Sequence, residues 1–367
     1  MGRRRRLLLA VITGLAFGLA ATADDGLASK ERLGKLLFTD TNLSVPRGQS
    51  CASCHDPLLG CTEPDKKLPV SQGACKGRFG NRNAPTAMYA NLVPPFRYDR
   101  ATGEYVGGLF WDGRAATLED QAKGPFLNRL EMNNNKTALV HTVARSAYAP
   151  LFESVYGKGS LRNVGKAFDQ IAEAIAAYER TAELNPFTSR YDSYAAGKAE
   201  LSAAEKRGLA LFEGAARCAK CHPSRPGPDG RPPAFSDFRY DNLGVPRNPS
   251  LPFYELPYRF NPAGPGFVDL GLGAALKDPK QNGKFRTPTL RNIATTSPYM
   301  HNGVFTTLEQ VLDFYNTRDS GKWPPPEVAE NINREDLGAL GLTQQEQQDI
   351  VAFLKTLTDS TVRVPTP

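Results

Sequence analysis

Two short pentads constrain this 367-residue chain more than anything else in it: Cys51-Ala-Ser-Cys54-His55 and Cys218-Ala-Lys-Cys221-His222. Cys-x-x-Cys-His is the pattern that attaches haem covalently. Two thiols add across the two vinyl groups, the two-residue spacer matches the vinyl separation, and the histidine that follows is placed to ligate iron. A zinc site or a redox dithiol would need other partners. The chain has no further Cys-x-x-Cys, and its only other histidines are His141 and His301. The reading is therefore two covalently bound haem c groups, with His55 and His222 as proximal iron ligands. The opposite face of each iron decides function, because a sixth protein ligand makes an electron-transfer haem and an open face makes one that binds peroxide. The groups available for that face are His141, His301, Met88, Met132, Met300 and several tyrosines.

The two motifs sit in two similar halves. Leu33-Gly34-Lys35-Leu36-Leu37-Phe38 and Arg207-Gly208-Leu209-Ala210-Leu211-Phe212 each precede a motif, with apolar residues at helical spacing. A second amphipathic stretch closes each half. Residues 164–182 carry Phe168, Ile171, Ala172, Ile175 and Tyr178, and residues 343–357 carry Ile350, Val351, Phe353, Leu354 and Leu357. Thr343 followed by Glu346 predicts a capping-box start for the last helix. Strand signals are poor, and the Pro/Gly-rich stretches 223–266 and 318–327 read as loops. The expected fold is mainly α and loop-rich, with two cytochrome c-like domains over 24–186 and 187–367 and a linker near Asn185–Lys198.

The N-terminus reads as a secretory leader. Arg3–Arg6 form a positive segment, Leu7–Leu19 an apolar run, and Ala21-Thr22-Ala23 a small-x-small cleavage site before Asp24. Left uncleaved, the same run would be a membrane anchor, but it is shorter than the ~20 residues of a comfortable span. Loss of residues 1–23 removes four arginines and no acids, leaving 41 basic against 38 acidic side chains. Such a mild charge does not suggest a nucleic-acid binder, and no later segment is apolar enough to span a bilayer. The expected location is the periplasm. In that oxidising compartment the two remaining cysteines, Cys61 and Cys75, most simply pair, the alternative being two free thiols. A bridge closing a loop of roughly 15 residues would contribute about 3 kcal/mol.

Further motifs carry a resemblance. Phe110-Trp111-Asp112-Gly113-Arg114-Ala115-Ala116-Thr117-Leu118-Glu119-Asp120-Gln121-Ala122-Lys123-Gly124-Pro125 with Glu131-Met132, Arg82-Asn83-Ala84-Pro85-Thr86, Phe285-Arg286-Thr287-Pro288-Thr289-Leu290-Arg291-Asn292 and Pro298-Tyr299-Met300-His301-Asn302-Gly303 occur in order along the mature chain. Together they resemble the signature of the bacterial dihaem cytochrome c peroxidase and MauG family. The resemblance implies that the N-terminal haem reacts with hydrogen peroxide and that the C-terminal haem stores and passes electrons. It places Glu131 and Gln121 on the open face of the first haem, where a carboxylate can relay the peroxide proton and an amide can orient the oxidant. Some members keep a histidine after the first motif that ligates the resting iron. Residues 56–140 contain none, so the first haem should be open or water-bound.

The second haem is capped by a methionine in typical members and by a tyrosine in MauG. The stretch Thr307-Leu308-Glu309-Gln310-Val311-Leu312-Asp313-Phe314-Tyr315-Asn316 has no methionine, and Tyr315 stands at the ligand position. The alternative is that Tyr315 is a core aromatic and Met300 ligates. The resemblance further implies Trp111 as an electron relay between the haems, His301 near the propionates, and a calcium ion held by the Asn83 side chain and the carbonyls of Thr296 and Pro298. Trp323 reads as a packing residue that could lie on an exit route for oxidising equivalents. Arg129 departs from the pattern, which usually has proline there. The expected enzyme forms high-valent haem with peroxide and oxidises a partner protein by long-range electron transfer. Two alternatives stand: a conventional peroxidase fed by a small redox protein, and a non-enzymatic dihaem electron carrier.

Overall fold

The computed structural model describes residues 27–227 and 230–363; the expected leader at 1–23 lies outside them. The helices are α1 (Ser29–Thr39), α2 (Leu118–Leu127), α3 (Lys136–Ala144), α4 (Ala149–Tyr156), α5 (Val164–Glu179), α6 (Arg190–Ala195), α7 (Ala203–Glu213), α8 (Leu272–Leu276), α9 (Leu308–Thr317) and α10 (Gln344–Lys355). Caps set several of their starts. Ser202 with Glu205 opens α7, Thr307 with Gln310 opens α9, and Thr343 with Glu346 opens α10, each through reciprocal side-chain and backbone bonds.

In each half the first helix crosses the last, α1 on α5 and α7 on α10. The crossing point is a glycine in both. A Cβ on Gly34 would lie 1.9 Å from the Ala174 carbonyl oxygen and 2.9 Å from Tyr178 Cβ. A Cβ on Gly208 would lie 1.9 Å from the Asp349 carbonyl oxygen and 2.9 Å from Phe353 Cβ. The helix backbones therefore touch, which only glycine permits. Replacement by alanine gains about 1 kcal/mol of helix propensity, but the added methyl must push one helix off the other. Gly34→Ala and Gly208→Ala are each expected to destabilise by ~1–3 kcal/mol, measured as a shift in denaturant midpoint at unchanged slope.

Two apolar cores follow. The first gathers Leu33, Leu37 and Phe38 of α1 with Phe168, Ile171, Ile175 and Tyr178 of α5. The second gathers Phe212 of α7 with Phe314 of α9 and Ile350, Phe353 and Leu354 of α10. The halves also interlock. Val362, near the C-terminal end of the described chain, packs into the first core. The Tyr89 hydroxyl donates to Asp359 at 2.7 Å, and Arg82 pairs with both Asp112 at 2.7 Å and Asp269 at 2.6 Å.

The structure corrects two expectations. Strands exist, although they are short: β1 (Arg97–Asp99) pairs antiparallel with β2 (Glu104–Val106), and β3 (Tyr240–Asp241) with β4 (Phe285–Arg286). The Cys61–Cys75 bridge is not formed. Cys61 lies fully buried in the first core, whereas the Cys75 thiol sits in another loop, 3.6 Å from the Val45 carbonyl oxygen and 3.5 Å from Asn133 Nδ2. Among the described residues no helix is long and apolar enough to cross a membrane.

Candidate haem centres

Both motifs fold alike. Cys51–Ser53 and Cys218–Lys220 are single 3-10 turns, and in each the amide of the histidine returns to the carbonyl of the first cysteine at 2.9 Å. The turn brings both thiols and the imidazole to one wall of a continuous cavity that both halves line. His55 Nδ1 lies 3.2 Å from the Cys61 carbonyl oxygen, and His222 Nδ1 lies 2.7 Å from that of Phe235. A carbonyl can only accept, so Nδ1 carries the proton and Nε2 keeps its lone pair. Burial pushes both imidazoles below their ordinary value, His222 to about 4, so both are neutral. None of the four motif thiols is oxidised to a disulfide. Burial holds Cys54, Cys218 and Cys221 at about 12, protonated at neutral pH.

This donor set fits two haem c groups. Each wall offers a neutral imidazole of fixed tautomer beside two thiols, with apolar residues around them: Phe38 and Ile175 in one half, Phe212, Leu312 and Ile350 in the other. Two buried groups at the cavity lack a hydrogen-bond partner, Arg286 Nε and His301 Nε2, the latter 3.8 Å from the Glu327 carboxylate. Anionic propionates are what such groups would receive.

The sequence-predicted residues converge on the same cavity. Glu131, Gln121, Trp111, Tyr315, Met300, His301, Asn83, Thr296 and Pro298 all line it. Gln121 comes from α2, whose Thr117 cap accepts from the Asp120 amide. The half-buried Glu131 accepts from Asn128 Nδ2 at 2.8 Å. Burial raises its pKa, opposed by that bond and by the Arg114 guanidinium. Arg129 does not disturb this carboxylate. Its guanidinium lies over the Phe260 ring at 5.0 Å, as does that of Arg78 at 4.6 Å, and its carbonyl accepts from Arg78 Nη1 at 2.9 Å. Arg78→Ala is expected to loosen this loop and lower peroxide reactivity several-fold while leaving thermal stability within about 1 kcal/mol. Stopped-flow rates beside a melting curve check it.

Trp111 is held at both ends. Its indole Nε1 donates to the Asn83 carbonyl at 2.8 Å, and its own carbonyl accepts from the Arg286 amide at 2.8 Å. The Asn83 amide in turn donates to the His301 carbonyl at 2.7 Å. His301 stacks on Phe285 at 3.7 Å between ring centres. Asn83 Nδ2 donates to the Pro69 carbonyl at 3.2 Å, which leaves Oδ1 uncommitted. Among the described residues no group of three or more His, Cys, Asp or Glu could hold a metal ion; the expected calcium ligands are an amide and carbonyls. Burial raises the Tyr315 phenol, so only a cation beside it would make it a phenolate at neutral pH. Trp323 packs on Phe305 and Phe314 in the second core.

Sequence reasoning missed the buried Glu179 and Arg286 on the cavity wall. For Glu179 a signal existed, since it follows Ile175 by four residues on the buried stripe of α5.

A family model described as di-haem cytochrome c peroxidase matches residues 28–200. The methylamine utilization protein MauG of Paracoccus denitrificans is 41% identical over 360 residues, covering 93% of this chain and 90% of that protein. The chain belongs to the dihaem cytochrome c peroxidase and MauG family. A cytochrome-c peroxidase of Denitromonas iodatirespirans is 34% identical, with 90% and 81% covered. Among solved structures, the diheme peroxidase BthA from Burkholderia thailandensis superimposes with a TM-score of 0.78 at 35% identity, covering 91% of this chain and 87% of that one. A MauG-like protein associated with microbial copper homeostasis does so with a TM-score of 0.69 at 32% identity, with 91% and 90% covered. Membership makes the chain an enzyme of the dihaem peroxidase class, with two haem c groups as the family's cofactors.

Proposed function

We propose that the chain is a periplasmic MauG-type peroxidase that reduces hydrogen peroxide at the first haem and oxidises a partner protein at a distance. The observation that carries this reading is Tyr315. It lies on the cavity wall on α9, and residues 307–316 contain no methionine. A phenolate oxygen favours an oxidised iron over a reduced one, in contrast to a thioether. When bound, the haems supply the two electrons that peroxide reduction requires.

The protein groups do the rest. Residues 24–186 and 187–367 form one cytochrome c-like domain each. Cys51 and Cys54 hold the first haem and Cys218 and Cys221 the second, with His55 and His222 as proximal ligands. Glu131 takes the proton from the near oxygen of peroxide and returns it to the departing oxygen, and Gln121 orients the oxidant. Trp111, bonded at both ends, carries electrons between the two centres. His301 and Arg286 receive propionates, and Asn83 Oδ1 with the Thr296 and Pro298 carbonyls holds a calcium ion. The substrate is a periplasmic protein with oxidisable tryptophan or tyrosine side chains.

Met300 supports a second reading, a conventional peroxidase fed by a small redox protein, because it too lines the cavity. Two assays on the purified holoenzyme separate the readings. The MauG-type reading expects a spectral change with peroxide that outlasts mixing, and poor oxidation of reduced cytochrome c. Rapid cytochrome c turnover without a persistent change would favour Met300 as the ligand.

A further inference from the structure

The matched glycine crossings put the two halves in register. Gly34 meets Ala174 and Tyr178 in the first half; Gly208 meets Asp349 and Phe353 in the second. Tyr178 thus corresponds to Phe353, and the next residue on each helix, Glu179, to Leu354. Phe38 and Phe212 match in the same way, four residues after each glycine, as do Ile175 and Ile350 one residue after each contact. Glu179 and Leu354 both line the cavity and are both buried, at 5% and 6% exposure. The first half therefore carries a carboxyl group where its twin carries a hydrocarbon. Leucine suffices for packing at this position, so packing does not explain the glutamate.

The Glu179 carboxyl has no structural partner either. Its Oε2 is buried without a hydrogen bond. The adjacent Arg180 turns outward to Glu119 of α2 at 2.7 Å. Tyr178, the other neighbour on α5, donates to Glu183 at 3.0 Å. The remaining groups that feel Glu179 are the Cys51 and Cys61 thiols. Cys51 is the first attachment cysteine, so the carboxyl lies beside the thioether edge of the first haem pocket. Burial pushes Glu179 up to about 8, with Glu119 adding to the rise and Arg180 opposing it.

We propose that Glu179 is the redox-linked proton site of the first haem pocket, holding a proton while the bound haem is reduced and releasing it as an electron leaves. The inference rests on haem attachment at Cys51. In one step, one electron passes from the haem to the oxidant and one proton passes from the Glu179 carboxyl to water. The negative charge left on Oε2 offsets the positive charge gained at the haem, which a dry pocket otherwise disfavours. Leu354 offers no such compensation at the matching position of the second pocket.

Spectroelectrochemical titration of the dihaem holoenzyme from neutral to mildly alkaline pH tests this. For one haem the wild-type midpoint potential should fall as pH rises, approaching one proton per electron. Glu179→Gln and Glu179→Leu, the latter copying the twin, should lose that slope, whereas Glu119→Gln should keep it. Redox-difference infrared spectra should show a protonated-carboxyl band in the wild type that Glu179→Gln lacks. A pH-independent wild-type potential, or a slope retained in Glu179→Gln, overturns the proposal. A chain that fails to take up two covalent haems, read by its haem content, would instead sink the attachment on which it rests.

Discussion

Tyr315→Phe is expected to shorten the lifetime of the peroxide-induced spectral change at least about tenfold, equivalent to ~1.4 kcal/mol of barrier. Phenylalanine removes one oxygen and keeps the ring that packs beside Phe314 at 6.0 Å. The helix start at Thr307 with Gln310 is untouched, so loss of the signature would not report unfolding. The argument is electronic. The half-buried phenol is raised above its ordinary value by desolvation, so it ionises only when a cation lies within bonding reach, and once ionised it stabilises the oxidised centre. Tyr315→Met should go further in a defined direction. A thioether favours the reduced iron, so the second haem's potential should rise and oxidation of reduced cytochrome c should speed up. Stopped-flow absorbance after one addition of peroxide reads the lifetime, and a redox titration reads the potential. If both variants behave as wild type, the ligand is Met300, and Met300→Leu should then produce the loss.

What the sequence revealed, and what it hid, follows from range. The paired helices were legible because each repeats its apolar residues every three to four positions and Thr343 announces the cap of the last. The β1–β2 hairpin was not, since three-residue strands on a mostly exposed surface are too short to display alternation. The Cys61–Cys75 expectation argued from compartment and number, neither of which carries distance; one thiol went into the core and the other to a loop. Bonds such as Tyr89 to Asp359 join residues 270 apart in sequence and leave no local trace. The candidate site residues, chosen by chemistry, line one cavity. Haem attachment requires one spacing, whereas a cavity wall tolerates many. Glu179 shows the cost of reading by pattern alone, since an acid on a buried stripe was passed over for lack of a motif around it.

Glu131→Gln is expected to lower kcat/KM for hydrogen peroxide by roughly 10²- to 10⁴-fold, the range for removing a positioned acid–base group. The substitution is nearly isosteric and the site is rigid. Glu131 is fixed by Asn128 Nδ2 at 2.8 Å, and the preceding Leu130 carbonyl abuts Gly73, where an added Cβ would lie 2.1 Å away. The loss should therefore fall on the chemical step and not on folding. The pH dependence gives a second, independent readout. A base works in its ionised form, and burial raises the Glu131 pKa. The wild-type rate should climb as pH rises through that raised value, and the rising limb should vanish in Glu131→Gln. Asn128→Ala sharpens the test, because the Asn128 bond lowers the Glu131 pKa. Without it the carboxyl holds its proton more tightly, and the rising limb should move to higher pH while the plateau survives. Gln121→Ala should cost less, about tenfold, since an amide can orient an oxidant but cannot take up its proton. Full activity in Glu131→Gln would remove this carboxylate from the mechanism and return the proton relay to another group on the same wall.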